Sequence, residues 1–560
     1  MPETKGSLMT GLMMDYPLTL THILERSARI HPRQEIASRV PDGSMHRYTY
    51  SDFHQRVHRL AHALQSLGVE AGDRIGTLCW NSSRHLELYF AIPCAGCVLH
   101  TLNLRLAADQ LAYIINHAED RIIFIDASLL PILEPIRGEL KSVKLVVVLN
   151  VVLNDGMSEP GSALDYETLL AAAPAEPYPW PQLDENAAAA MCYTSATTGD
   201  PKGVVYSHRA LFLHSYATCM VDSFALSERD TILQLIPMFH ANGWGIPYAG
   251  IMTGSRLVFC GRHLQPADIA LLIEQERATF SSGVPTLWMT LYSHLESHPH
   301  DISSLRKVVV AGAALPRQFV ELYERKHGVH IMLAWGMTEL TPIGTVTSLK
   351  SHLTSLPDDE RFNIMARHGL PLPGVDIRIV DAERKELPWD GIAMGELQAR
   401  GPWVAAEYYN DPRSPQSFMD GWLRTGDVAT IDPEGYIQIM DRTKDLVKSG
   451  GEWISSVDLE NAIMSHPKVA EAAIVGVFHP KWQERPLACV APRPEFRDQI
   501  TKQEILDFLA QRVAKWWLPD DVVFIEAIPK TSVGKFNKRA LREQFKDYKL
   551  PNAEAAAGRD

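Results

Sequence analysis

The sequence contains no run approaching the ~18 apolar residues that a membrane-spanning helix needs, so none is expected. The N-terminal stretch MPETKGSLMTGLMMDYPLTL lacks a charged start followed by an adequate apolar core, and Asp15 interrupts what apolar run exists; a cytoplasmic location is expected. The 7 cysteines are scattered through apolar segments and form no disulfide framework, which suits a reducing compartment. Cys94 and Cys97 do make a C-x-x-C, but inside AIPCAGCVLH and without a second pair, so they read as buried core. Positive charge is in short supply as well. With 54 Lys and Arg against 67 Asp and Glu, the net charge of −13 argues against nucleic acid as the main partner. The Walker A pattern G-x-x-x-x-G-K-[ST] is also absent, which excludes that type of phosphate loop.

What is present is an ordinary globular composition, 46% hydrophobic and 22% charged, over 560 residues. That length exceeds what one core usually serves, so two or more domains are expected. The residues from Ser51 to Gly68 put Phe53, Val57, Leu60, Ala61, Leu64 and Leu67 on one helical face, with Ser51 at the start and Gly68 just past the end. Short β-branched runs such as RIIFIDAS and VKLVVVLN alternate with helical patterns such as ADIALLIEQERA and PRQFVELYERKHG. The alternation predicts an α/β fold of helix-covered parallel sheets. Near Gly391 the texture changes to short alternating strands, MGELQARG and GYIQIMD, predicting a small β-rich subdomain. A new compact unit begins after DRTKDLVKSGG. The reading is an N-terminal domain over 1–442 and a small, mobile α+β domain over 443–560. The charge divides with it, because 18 basic and 17 acidic residues after 442 leave a net of +1 there and −14 before it.

One stretch, YTSATTGDPKGVVYSHRA, gathers hydroxyls and glycines around a single lysine, Lys202. Thr194, Ser195, Thr197 and Thr198 offer donors, while Gly199 and Gly203 permit tight turning. The cluster follows an apolar run and precedes a strand and then a helix, and the chemistry is that of a phosphate cradle set between strand and helix. A second cluster, AWGMTELTP, carries one acid, Glu339, flanked by Thr338 and Thr341; beside a phosphate loop it is a candidate Mg²⁺ ligand. GWLRTGDVA offers Asp427 in a tight turn, suited to ribose hydroxyls; Arg442 follows in DRTKD, and Lys535 lies on a glycine-flexed loop in PKTSVGKFNKRAL.

Taken together, YTSATTGDPKG, AWGMTE, WLRTGD, DRTKDLVKSGGEWIS and PKTSVGK resemble the adenylate-forming enzymes of the AMP-binding family, and among these the fatty-acyl-CoA synthetases. The resemblance covers about Leu18 to Lys549. It implies that ATP and a carboxylic acid give an acyl-adenylate and pyrophosphate, after which the thiol of coenzyme A displaces AMP. It assigns Thr194 through Lys202 to the β- and γ-phosphates, Glu339 to Mg²⁺ with Thr198 as a further metal contact, and Thr338 to the α-phosphate. Adenine is implied near Gly312, Ala313, Ala314 and the Trp335, Gly336, Met337 run, ribose on Asp427, and a ribose or phosphate contact on Arg442. Lys444 matches the hinge of the moving domain. Ser449, Gly450, Gly451, Glu452 and Trp453 match the loop lining the CoA tunnel, and Lys535 the lysine brought to the α-phosphate during adenylation. The family usually has glycine where this chain has Ala196; a left-handed backbone there would cost about 1 kcal/mol or more.

The segment IPMFHANGWGIPYAG matches the family's acyl-pocket motif, with His240 near the carboxylate and Trp244, followed by Gly245, placed to gate a tunnel. Amino-acid-activating relatives carry an aspartate in this motif, and none occurs here. Val284, in SSGVPTLWM, adds an apolar neighbour. Burying methylenes is worth ~0.8 kcal/mol each, so a medium- or long-chain fatty acid is expected, with an aryl or branched acid as the alternative. A luciferase-like oxygenase would share the first step, and a non-catalytic descendant would be marked by loss of Glu339, Asp427 or Lys535, all of which are present. By resemblance, the N-terminal arm from Leu8 to Leu20 suggests a homodimer.

Overall fold

The computed structural model describes residue 9 and residues 11–149, 164–194, 200–442, 445–449, 452–531 and 535–551. The expected helix forms over Tyr50–Ser66, burying Phe53, Val57, Leu60, Ala61 and Leu64. Its cap is Thr49 rather than Ser51: the Thr49 side chain accepts from the Asp52 backbone N–H and the Asp52 carboxylate answers to Thr49, a reciprocal pair that fixes the first turn. Gly68 follows the helix at φ +71°, where a side chain would be strained.

Two large sheets carry the fold. A seven-stranded sheet is parallel except for its last pair, Ala188–Tyr193 with Gly203–Ser207, which is antiparallel. A nine-stranded sheet has a parallel centre and antiparallel edges. Parallel neighbours require crossover connections, which the sequence supplies as amphipathic helices packed on the sheet faces. The strands are apolar on both faces, as in Ile122–Asp126, where every residue is buried.

The β-rich region is a five-stranded antiparallel sheet that starts at Asp376, earlier than the textural change near Gly391 indicates. Asp376–Val380 alternates polar and apolar residues, which is the pattern of a half-buried strand. A further five-stranded sheet is built within Val447–Phe524, with its own apolar core of Val447, Ile454, Ile474, Ala488, Val490 and Val522. Among the described residues no helix is long and apolar enough to cross a membrane. The cysteines are free, and all but the half-buried Cys219 are buried, Cys94 and Cys97 included.

Candidate active site

The phosphate-loop segment lies in a hairpin, between two antiparallel strands, and not between strand and helix as its sequence suggests. The helix His208–Cys219 comes only after the second strand. Thr194 and Lys202 close the stem: the Thr194 N–H donates to the Lys202 carbonyl at 2.9 Å and the Lys202 N–H to Thr194 Oγ1 at 3.2 Å. Tyr193 lies over Gly203, where a Cβ would come within 3.1 Å of its ring, so any larger residue there would have to push the ring aside. Ser195, Ala196, Thr197, Thr198 and Gly199 lie outside the described residues, as do Lys444, Gly450 and Gly451; for Glu452 and Trp453 only the strand Glu452–Ile454 is described.

A strand, His330–Gly336, leads into a single helical turn, Thr338–Leu340. There Glu339 is 5% exposed, and its carboxylate accepts the Tyr408 hydroxyl at 2.6 Å. Burial raises the pKa of this carboxyl. The Thr338 carbonyl accepts from Tyr206 Oη at 2.7 Å, which pins the turn to the hairpin. Gly336 is essential to the geometry, since a Cβ would stand 2.0 Å from the Pro342 carbonyl oxygen.

Asp427 sits within the strand Trp422–Ile431 and not in a tight turn. Burial of the flanking Leu423, Val428 and Ala429 draws this segment into a sheet despite its Thr-Gly pair. Its carboxylate accepts from Trp335 Nε1 at 2.7 Å and pairs with Arg442 Nε at 3.2 Å, its direct cross-strand neighbour. That pairing is the main reason the Arg442 pKa rises.

These residues border two connected spaces. A cavity of about 240 Å³ is walled by Gly312, Ala313, Ala314, Trp335, Asp427 and His368. A chamber of about 120 Å³ is walled by Thr194, His240, Trp244, Val284, Met337, Thr338 and Glu339. Gly312, Gly336, Arg442 and Lys535 border both. Lys535 approaches Gly312 so closely that a Cβ there would lie 3.1 Å from the lysine Cε. Burial, and then Arg442, lower the Lys535 pKa to about 8. Burial and then Lys535 hold the His240 imidazole down to about 3, so it is neutral near pH 7.

Trp244 reaches the chamber from a strained run. Ala241, Asn242, Gly243, Trp244 and Gly245 all have positive φ, from 42° to 72°. Each non-glycine residue in that region costs about 1 kcal/mol or more, a cost that persists where surroundings over-determine the backbone. Here Gln234 Nε2 donates to the Gly243 carbonyl at 3.2 Å, and a Cβ on Gly245 would meet the His214 ring at 2.7 Å.

Lys202 borders neither space directly; its ammonium lies 4.3 Å from the centre of the Tyr408 ring. Ser449 is away from both, buried on the last sheet, where Arg485 Nη1 donates to its Oγ at 3.1 Å. Sequence reasoning missed Tyr408 and His368. Nothing in EYYND marks Tyr408, because its role depends on the distant partners Glu339 and Lys202.

A cluster with metal-type donors, Glu25, His54 and His58, lies elsewhere. The Tyr178 N–H donates to His58 Nδ1 at 2.7 Å, so the neutral ring carries its proton on Nε2, the atom 3.2 Å from Glu25. Trp180 Nε1 also donates to that carboxylate at 2.7 Å. The cluster is a hydrogen-bonded knot and not a ligand set.

A cavity that shares its cationic border with a chamber lined by one buried acid is the division of space an adenylate-forming enzyme needs. Comparison with known proteins agrees: the chain belongs to the AMP-binding enzyme family, whose pattern matches residues 24–409, with the family's C-terminal domain matching 458–535. It is 50% identical over 539 residues to a long-chain-fatty-acid–CoA ligase of Thermus thermophilus, covering 96% of this chain and 97% of the relative. It is 43% identical over 539 residues to a 3-methylmercaptopropionyl-CoA ligase of Ruegeria lacuscaerulensis, covering 96% and 99%. A solved anthranilate CoA ligase in complex with anthranoyl-AMP superposes with a TM-score of 0.84 at 25% identity, covering 97% of this chain and 99% of that one. The protein is an AMP-forming acyl-CoA ligase that uses ATP and CoA and works through an acyl-adenylate.

The Lys535 pKa makes a pH prediction with a definite sign. Below about 8 the ammonium is charged, and above it the charge is lost. The kcat/KM for ATP in acyl-adenylate formation should therefore fall as pH rises through that value, since this parameter reports the free enzyme. Lys535→Arg, charged throughout the range, should move the falling limb upward. An unshifted limb in the arginine variant would assign the titration to another group.

Proposed function

We propose that this ligase activates a medium- or long-chain fatty acid. The observation that carries the reading is the lining of the 120 Å³ chamber. Ile236, Pro237, Ala241, Trp244, Val284 and Ile343 are apolar or small, and among the described lining residues Glu339 is the sole acid, with no second carboxylate to hold a substrate amine. The long-chain specificity in the name of the Thermus relative supports it. The small volume favours a compact acid in the arrangement seen, which sustains a second reading, an aryl or branched acid.

In the first step the acid's carboxylate oxygen attacks the α-phosphorus and pyrophosphate departs. The cost lies in bringing an anion to a polyanion, so positioned positive charge is what the site must provide. Lys535 and Arg442 stand where charge builds on the α-phosphate, the Thr194–Lys202 hairpin takes the β- and γ-phosphates, and Thr338 contacts the α-phosphate. Adenine lies against Gly312–Ala314 and Trp335–Met337, and ribose on Asp427. Glu339 fits Mg²⁺, because a single buried carboxylate is the sparse protein contribution that ion takes alongside phosphate oxygens. The bound ion supplies neutralisation of phosphate charge. His240, held neutral, can donate one hydrogen bond to the acid without adding charge.

In the second step the CoA sulfur attacks the acyl carbonyl and AMP leaves. The domain 443–560 turns about Lys444, withdrawing Lys535 and presenting the loop Ser449 to Trp453. The exposed N-terminal residues Met9, Leu12, Met13 and Met14 support a homodimer formed through this arm.

Two measurements test these readings. Pyrophosphate release across acids from acetate to oleate, with benzoate and cinnamate, should peak at medium or long chains, and Trp244→Ala should change the acid's KM by at least severalfold while leaving that for ATP. A peak at benzoate or acetate, or an unaltered chain-length profile in the variant, would refute the fatty-acid reading or the gate respectively. Light scattering at micromolar concentration should show a dimer that removal of residues 1–16 abolishes; a monomeric full-length chain would contradict it.

A further inference from the structure

The segment from Ala405 to Arg413 touches both the Glu339 turn and the stem of the Thr194–Lys202 hairpin. On one side the Ala405 N–H donates to the Glu339 carbonyl at 2.8 Å and Tyr408 Oη to the Glu339 carboxylate at 2.6 Å. On the other, the Tyr408 ring faces the Lys202 ammonium at 4.3 Å, and the Tyr409 N–H donates to the Gly203 carbonyl at 2.9 Å in the hairpin stem. Arg413 Nη2 reaches the Asp200 carbonyl at 3.3 Å. Tyr408 is itself 6% exposed, set edge-on to Phe418 at 5.1 Å between ring centres, and its backbone N–H donates to Ser414 Oγ at 2.8 Å.

We propose that Tyr408 is a positioning residue that couples the phosphate-loop lysine to the magnesium-binding acid, one side chain aiming both at the same triphosphate. The inference rests on the reading of Glu339 as the Mg²⁺ ligand. The hydroxyl orients a buried carboxylate from outside its own turn, and a hydrogen bond to an ionised acceptor is stronger than a neutral one. The ring's negative face holds the ammonium. Both groups are thereby set before the nucleotide arrives, which lowers the ordering cost of binding it.

Two variants separate the two contacts. Tyr408→Phe keeps the ring and its packing on Phe418 and removes only the hydroxyl, whereas Tyr408→Leu removes both. Mn²⁺ titrated into the enzyme with a non-hydrolysable ATP analogue, followed by electron paramagnetic resonance, reads the acid; calorimetry of metal-free ATP in EDTA reads the lysine. Tyr408→Phe should weaken Mn²⁺ binding about tenfold, the loss of a hydrogen bond to a charged group, and leave metal-free ATP within about twofold. Tyr408→Leu should weaken both. Unchanged Mn²⁺ binding in the phenylalanine variant, unchanged metal-free ATP in the leucine variant, or equal losses of both ligands in each variant would overturn the proposal; the last result is that of a merely structural tyrosine. Glu339→Gln distinguishes the levels. If it binds Mn²⁺ like the wild type, the underlying metal reading fails. If it loses Mn²⁺ while Tyr408→Phe does not, only the coupling fails.

Discussion

The site depends on one contact, the approach of Lys535 to Gly312. A chain with 67 acidic and 54 basic side chains must bind a triphosphate and a carboxylate together, and it can do so only by concentrating cations locally. In the proposed reading Lys535 provides that charge from the last domain, its Cε standing 3.1 Å from where a Cβ on Gly312 would lie. Its lowered pKa is the signature of the cost, an ammonium taken out of water with Arg442 beside it, which Asp427 and Glu339 offset only in part. In the proposed reading the phosphates of the nucleotide offset this cost.

Around that contact the scaffold stores strain where it aims side chains. The left-handed run from Ala241 to Gly245 turns Trp244 into the chamber, and the Gly336 crossing beside Pro342 delivers Thr338 and Glu339 to the same space. Both features are held by packing between elements far apart in sequence. Tyr206 reaches the Thr338 carbonyl, and Tyr408 the Glu339 carboxylate, from opposite sides. The site is over-determined where the chemistry needs precision.

Much of this was legible in the sequence, for identifiable reasons. Strand and helix alternation gave the parallel sheets because burial on both faces leaves apolar runs such as RIIFIDAS. Thr194, Glu339, Asp427, Arg442 and Lys535 stood out because hydroxyl, acid and cation types cluster in short motifs. The local settings were less legible. The phosphate-loop segment became a hairpin because Tyr193 and Gly203 pair as strand neighbours, and Asp427 joined a strand because its apolar neighbours are buried. Thr49 outcompeted Ser51 as a cap because Asp52 stands three residues on. Tyr408 was invisible, since its meaning lies in contacts 69 residues away to Glu339 and across the fold to Lys202.

The central claim is that one moving lysine serves the first half-reaction and leaves before the second. A pair of single-turnover assays on Lys535→Ala tests it most directly, one from ATP plus fatty acid and one from preformed acyl-adenylate plus CoA. The account predicts a loss of roughly 10² or more in acyl-adenylate formation, the scale of removing a preorganised charge-stabilising donor, with thioester formation nearly spared. Equal losses in both assays would contradict it and leave Lys535 a static structural cation.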